Sequence, residues 1–120
     1  MANPFCHVEL SSNDLSKAKT FYQKLFDWKL EDVPMDEMTY TLIGVGEGAG
    51  GGMMKNPMPG TPSNWLPYVL VDDVRAATEK AEQLGASVCK DVTEVGEHGW
   101  FTIIVAPDGA ALGLWQGKAE

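Results

Sequence analysis

The sequence predicts an α+β fold of two tandem βαβββ modules, and three observations point to it. The first is a change of period that occurs twice. Residues 5–12 (FCHVELSS) alternate as a strand does, and NDLSKAKTFYQKLFDW then places Leu15, Ala18, Phe21, Tyr22, Leu25 and Phe26 three or four apart, giving a helix with one apolar stripe. The second is a matching register. Asp14 and Asp73 stand 59 residues apart, as do Leu15 and Val74, Ala18 and Ala77, and Leu25 and Leu84. The third is that three strand-like segments follow each helix.

Taken in order, Asn13 or Asp14 caps the first helix, because either side chain can accept from the free N–H groups of its first turn. WKLEDV (28–33) and TYTLIGVG (39–46) read as strands joined by the turn PMDE. The run GEGAGGGMMK reads as a loop and the start of a strand whose glycines avoid steric clash. It lacks the Gly-Lys-Ser/Thr ending of a phosphate cradle and leads into no helix. Three prolines exclude regular structure from NPMPGTPSN. In the second module WLPYVLV is a strand, and DDVRAATEKAEQLG is a helix with Val74, Ala77, Ala81 and Leu84 on its stripe. Asp72 or Asp73 supplies the cap, and Gly85 tolerates the left-handed conformation that ends a helix. ASVCKDV, WFTIIVA and AALGLWQ are the remaining strands, with PDG at 107–109 turning the last two. The expected organisation is a single domain over residues 1–120. Module one spans about 4–56, a linker about 57–64, and module two about 65–117.

Composition narrows the class. At 120 residues, 44% hydrophobic and 22% charged, the chain can bury a core as one globular domain. Its nine Lys and Arg are scattered against seventeen Asp and Glu, a formal charge of −8, so a nucleic-acid partner is not expected. No apolar run approaches the ~20 residues of a membrane span, and MANPFCHVEL has neither the basic start nor the apolar core of a signal peptide. The expected location is the cytoplasm, without membrane association. Cys6 and Cys89 show no CxxC spacing and are expected to be reduced, buried thiols.

The segment D-L-x-x-A-x-x-F-Y-x-x-L-F-x-W, carried here by Asp14, Leu15, Ala18, Phe21, Tyr22, Leu25, Phe26 and Trp28, resembles the vicinal oxygen chelate superfamily of glyoxalase I, bleomycin-resistance proteins and extradiol dioxygenases. Val71–Ala77, Leu84–Gly85 and Pro107–Gly109 extend the resemblance over essentially the whole chain. It implies the glyoxalase/bleomycin resistance protein fold, in which the modules curl a mixed sheet into a cup with helices on the convex side. It also implies a homodimer. In metal-dependent members, the first and last strands of each module supply His, Glu or Gln ligands. Transferred to this chain, those positions fall on His7 and Leu66 in the first strands, and on Gly113 and, by the 59-residue offset, Met54 in the last strands. Leucine and glycine offer no donor and a thioether suits copper(I), so no metal and no cofactor is expected.

His7 and Glu9 share one face of their strand. They are either an acid–base pair or a polar couple in a ligand cup, and the neighbouring carboxylate would favour protonated imidazole. Tyr68, the counterpart of Glu9, joins Met54, Leu66, Gly113 and Trp115 as the expected ligand pocket. There the missing side chain of Gly113 would leave room for a ligand. Trp28, Trp65 and Trp100 read as structural or interface residues, and His98 in GEHGW as a loop histidine. Three functions follow. The first is metal-independent binding of a small organic molecule, as in bleomycin-resistance members. The second is a lyase, isomerase or hydroxylase-like enzyme using His7 and Glu9. The last in order is a metal-dependent glyoxalase or dioxygenase with a rearranged site.

Overall fold

A computed structural model of the chain describes residues 2–35, 38–58 and 60–118. Strand, helix and three strands occur twice. The first set is β1 (Phe5–Ser12), α1 (Leu15–Leu25), β2 (Lys29–Met35), β3 (Met38–Gly44) and β4 (Gly51–Lys55). The second is β5 (Asn64–Leu70), α2 (Val74–Gln83), β6 (Ser87–Val95), β7 (Gly99–Val105) and β8 (Ala111–Gly117). Of the expected PMDE turn, Pro34 and Met35 belong to β2, while Asp36 and Glu37 lie outside the described residues. Contacts gather the chain into two compact units, His7–Leu66 and Met1–Cys6 with Pro67–Glu120.

In the unit His7–Leu66 the strands run in the order β2-β3-β4-β1, with β1 parallel to β4 and the other pairs antiparallel. Residues opposite one another on paired strands point to the same side of a sheet. Leu10 faces Met53 and Thr41 faces Met53, so these residues share one side. Leu10, Ile43 and Met53 are buried there beneath Leu15, Ala18 and Tyr22 of α1 and Trp28. The other side therefore carries His7, Glu9, Tyr40, Leu42, Gly52 and Met54. The apolar stripe expected on α1 is only partly used: Phe21 and Leu25 remain 56% and 55% exposed, and Phe26 leaves the helix in an extended conformation. Lys19 ties α1 to Asp32 of β2 at 2.9 Å, and Thr41 donates to the same carboxylate at 2.8 Å. The Lys19 bond, followed by that of Thr41, holds the Asp32 carboxyl below its usual range.

Asp14, rather than Asn13, caps α1 by accepting from the Lys17 N–H at 3.1 Å. Asn13 instead holds the connection to β5, donating to Thr61 O at 2.9 Å and accepting from Asn56 Nδ2 at 3.0 Å.

The second unit repeats the plan as β5-β8-β7-β6, with β5 parallel to β8. Val74, Ile104 and Leu114 form its buried core. Asp73 caps α2 by accepting from Arg75 and Ala76 N–H groups at 3.1 Å each, and Val74 N–H donates to Gln116 Oε1 at 2.9 Å. Gly85 adopts φ +102° after the helix, and Leu84, expected on the stripe, is exposed. Cys6 is half-buried with its Sγ 3.7 Å from Tyr68 O. Cys89 is exposed on β6, contrary to the buried thiol expected, at an irregularity in register between Val88 and Lys90. Among the described residues, no helix is long and apolar enough to cross a membrane.

Because Asp73 satisfies two N–H groups at once, Asp73→Ala should lower unfolding free energy in urea by about 1 kcal/mol, with most of the loss restored in Asp73→Asn.

Candidate functional site

The polar face of the unit His7–Leu66 is organised by Tyr40. This residue stands on β3 and must cross β4 to reach β1, a distance of two strand spacings, about 9.5 Å. A tyrosine reaches that far only by lying flat over the strand between. Gly52 permits it. This residue is opposite Glu9 on one side and Leu42 on the other, and a Cβ placed on it would run into the Tyr40 ring and Oη. The ring is consequently 8% exposed. Its Oη donates to Glu9 Oε2 at 2.8 Å and lies 2.8 Å from His7 Nε2.

The Tyr40 oxygen thus joins the imidazole and the carboxylate, and in the bond to His7 the ring nitrogen donates or accepts according to its tautomer. Burial pushes the His7 pKa below its ordinary value of 6.5. Glu9 had been expected to favour imidazolium. The shift runs the other way, and desolvation by burial is its cause.

The β4 register also revises the alignment of the two units. Glu9 lies opposite Gly52 and its counterpart Tyr68 lies opposite Gly113, so Gly52 is the equivalent of Gly113, and Met54 lies opposite Ser11 one step along the same face. The true offset is 61 on the last strand, because two extra residues intervene in the second unit. Met54 and Leu66 are half-buried in the first unit. In the other unit Tyr68 is buried, and its ring takes the space above Gly113 that was expected to be open. It packs edge-on to Phe101 at 6.2 Å. Trp115 is half-buried opposite Phe101, and His98 is exposed in the β6–β7 turn. On the helix side of the first unit, Trp28 and Trp65 stand 6.3 Å apart and line an apolar hollow of about 250 Å³ with Val8, Ile43 and Val45. That hollow carries no titratable side chain.

A zinc ion held by protein side chains takes three or four donors. Among the described residues no group of three His, Cys, Asp or Glu is placed to hold one. His7 and Glu9 are joined to a single phenol oxygen, and Leu66, Gly113, Gly52 and Met54 supply no suitable ligand. The donor set does not fit a metal of that kind.

A family model described as the Glyoxalase/Bleomycin resistance protein/Dioxygenase superfamily matches residues 5–114. The chain belongs to this superfamily. It is 38% identical over 114 residues to "Putative glyoxylase CFP32" of Mycobacterium tuberculosis and of Mycobacterium bovis, covering 91% of this chain and 44% of each relative. The chain thus spans less than half the length of the curated relatives it matches. Methylmalonyl-CoA epimerase from Mycobacterium tuberculosis shares the fold at TM-score 0.72 and 16% identity, over 96% of this chain and 88% of that one. The Mn(II)-bound glyoxalase from Novosphingobium aromaticivorans does so at TM-score 0.64 and 17% identity, over 97% and 41%.

Two outcomes follow from this geometry. Gly52→Ala must displace the Tyr40 ring and should cost about 1–3 kcal/mol in chemical denaturation. Gly44→Ala, whose Cβ would meet nothing nearer than 3.6 Å, should cost less. A lowered histidine pKa means that the unfolded chain takes up the proton first. The stability His7 contributes is therefore present above pH 6.5 and is lost as pH falls through its folded value. Thermal melts from pH 8 to pH 5 should accordingly fall more steeply for the wild type than for His7→Gln.

Proposed function

We propose that this chain binds a small organic molecule on the face formed by His7, Tyr40 and Glu9, and that it does so without a divalent metal. The observation that carries this reading is the single phenol oxygen held 2.8 Å from both His7 and Glu9, the two residues best suited to ligate a metal. Superfamily membership supports a small-molecule role, since one of the families it unites is the bleomycin-resistance proteins. Met54 and Leu42 add apolar surface beside the polar groups, a mixture suited to orienting an organic ligand. Leu66, in the same unit, is proposed as a further ligand-pocket residue.

A second reading is that His7 and Glu9 act as acid and base in an enzyme. The hydrogen-bonded chain between them favours it, and so does the name glyoxylase carried by the mycobacterial relatives.

Native mass spectrometry of protein purified without chelator tests the main reading. The expected spectrum shows a small organic adduct and no stoichiometric manganese, iron, nickel or zinc. His7→Ala and Tyr40→Phe should each weaken adduct retention about tenfold, the value of one hydrogen bond to a ligand. A stoichiometric ion that a chelator removes together with the ligand would contradict the reading. The enzymatic alternative requires turnover of the recovered ligand, abolished by His7→Ala with the melting temperature preserved.

A further inference from the structure

We propose that the hollow between β1, α1 and the connection from β4 to β5 is a second binding site of the unit His7–Leu66, and that it takes a small monocarboxylic acid with an apolar body. The hollow is separate from the His7 face. Side chains alternate along β1, so Leu10 and Ser12, which floor it, point away from the side that carries His7 and Glu9. It measures about 320 Å³, room for one ring and a short chain.

The apolar wall comes from α1. Phe21 and Tyr22 line the hollow with their rings edge to face at 4.9 Å. Phe21 is 56% exposed although it belongs to the helix's apolar stripe, and a ligand seated here would take that surface from water.

Donors set the polar end. Ser12 is only 3% exposed, and its Oγ accepts from the Asp14 N–H at 3.1 Å. Its own O–H finds no acceptor among the described residues. A buried donor left without an acceptor is costly, and a ligand oxygen in the hollow would satisfy it. At the rim, Ser63 Oγ accepts from the Asn13 N–H at 2.9 Å, and its hydroxyl likewise has a proton to give. Lys17 stands at the same rim, exposed, and its ammonium makes no ion pair among the described residues. Two hydroxyls and an ammonium thus line the hollow beside one carboxylate, that of Asp14, whose Oδ1 accepts from the Lys17 N–H. Donors outnumber acceptors, so the complementary group is an oxygen acceptor. Lys17 and the positive end of α1 favour a carboxylate over a neutral carbonyl.

The end wall is built without a ligand. Asn13 Nδ2 donates to Thr61 O at 2.9 Å, and Asn56 Nδ2 donates to Asn13 Oδ1 at 3.0 Å and to Thr61 O at 3.1 Å. These bonds fix the connection against the start of α1, so little ordering is left for binding to impose.

The test is a titration of the protein followed by proton–nitrogen correlation NMR. Phenylacetate is the probe, with phenylacetamide and phenethylamine as its neutral and cationic counterparts. Saturable shifts are expected at Ser12, Asp14, Lys17, Phe21 and Ser63, with phenylacetate bound most tightly. Lys17→Met should weaken phenylacetate about fivefold and leave phenylacetamide unchanged. Phe21→Ala, at a side chain already exposed, should weaken the acid and the amide together. Ser12→Ala should weaken both as well, and because Ser12 is buried the two exposed positions decide the matter if that variant unfolds. The absence of saturable shifts at the hollow would overturn the proposal. So would an amide or amine bound as tightly as phenylacetate, or a phenylacetate affinity indifferent to Lys17→Met or to Phe21→Ala. Shifts confined to His7, Glu9 and Tyr40 would overturn it too, while supporting the ligand face proposed above, so the two readings fail separately.

Discussion

A side chain on one strand meets side chains two strands away only where the strand between them leaves the space. In the unit His7–Leu66 that space is Gly52, and the way the polar face is organised follows from it. With no Cβ beneath it, the Tyr40 ring lies across β4, becomes buried, and brings its oxygen to His7 and Glu9 together. The ring in turn couples β3 to β1 through a side chain, although β4 separates them in the ladder. Residues that would be two open donors become members of one hydrogen-bonded chain. Burial of the imidazole also lowers its pKa.

The second unit uses the same device for a different end. Tyr68 lies over Gly113 as Tyr40 lies over Gly52, but it comes from the first strand of its unit and packs against Phe101. A duplicated fold preserves backbone positions, and what those positions carry is free to diverge. Membership in the superfamily is secured by residues that shape helices and turns. The activity depends on the few that face a ligand. Neither the epimerase nor the manganese-bound glyoxalase that shares the fold determines what this chain does, since both likenesses stand below 20% identity.

Much of the fold was legible because the periodic signals were strong. The Asp14 and Asp73 caps, the Gly85 helix end and the turn at Gly109 each rest on one local conformation that few residues can adopt. The site was only half legible. Alternation along FCHVELSS placed His7 and Glu9 together. Tyr40, by contrast, looked like an ordinary strand residue, since its partner strands are set by pairing that no local pattern encodes. The missed signal was Gly52, hidden in a glycine-rich run. Glycines show no alternation of side chains, so the register of β4 could not be counted, and the 59-residue offset chose Met54 instead. Burial of α1 was overestimated for a related reason. Period identifies an apolar stripe, but Phe21 and Leu25 lie on its flank, where nothing in the unit covers them.

The most direct measurement of the central claim is proton NMR of the Tyr40 hydroxyl. If the buried phenol bridges His7 and Glu9, its proton should exchange slowly enough with water to give a separate downfield resonance. That resonance should show an Overhauser contact to the His7 ring. A Tyr40 hydroxyl in fast exchange, on a ring without contact to His7, would contradict the account.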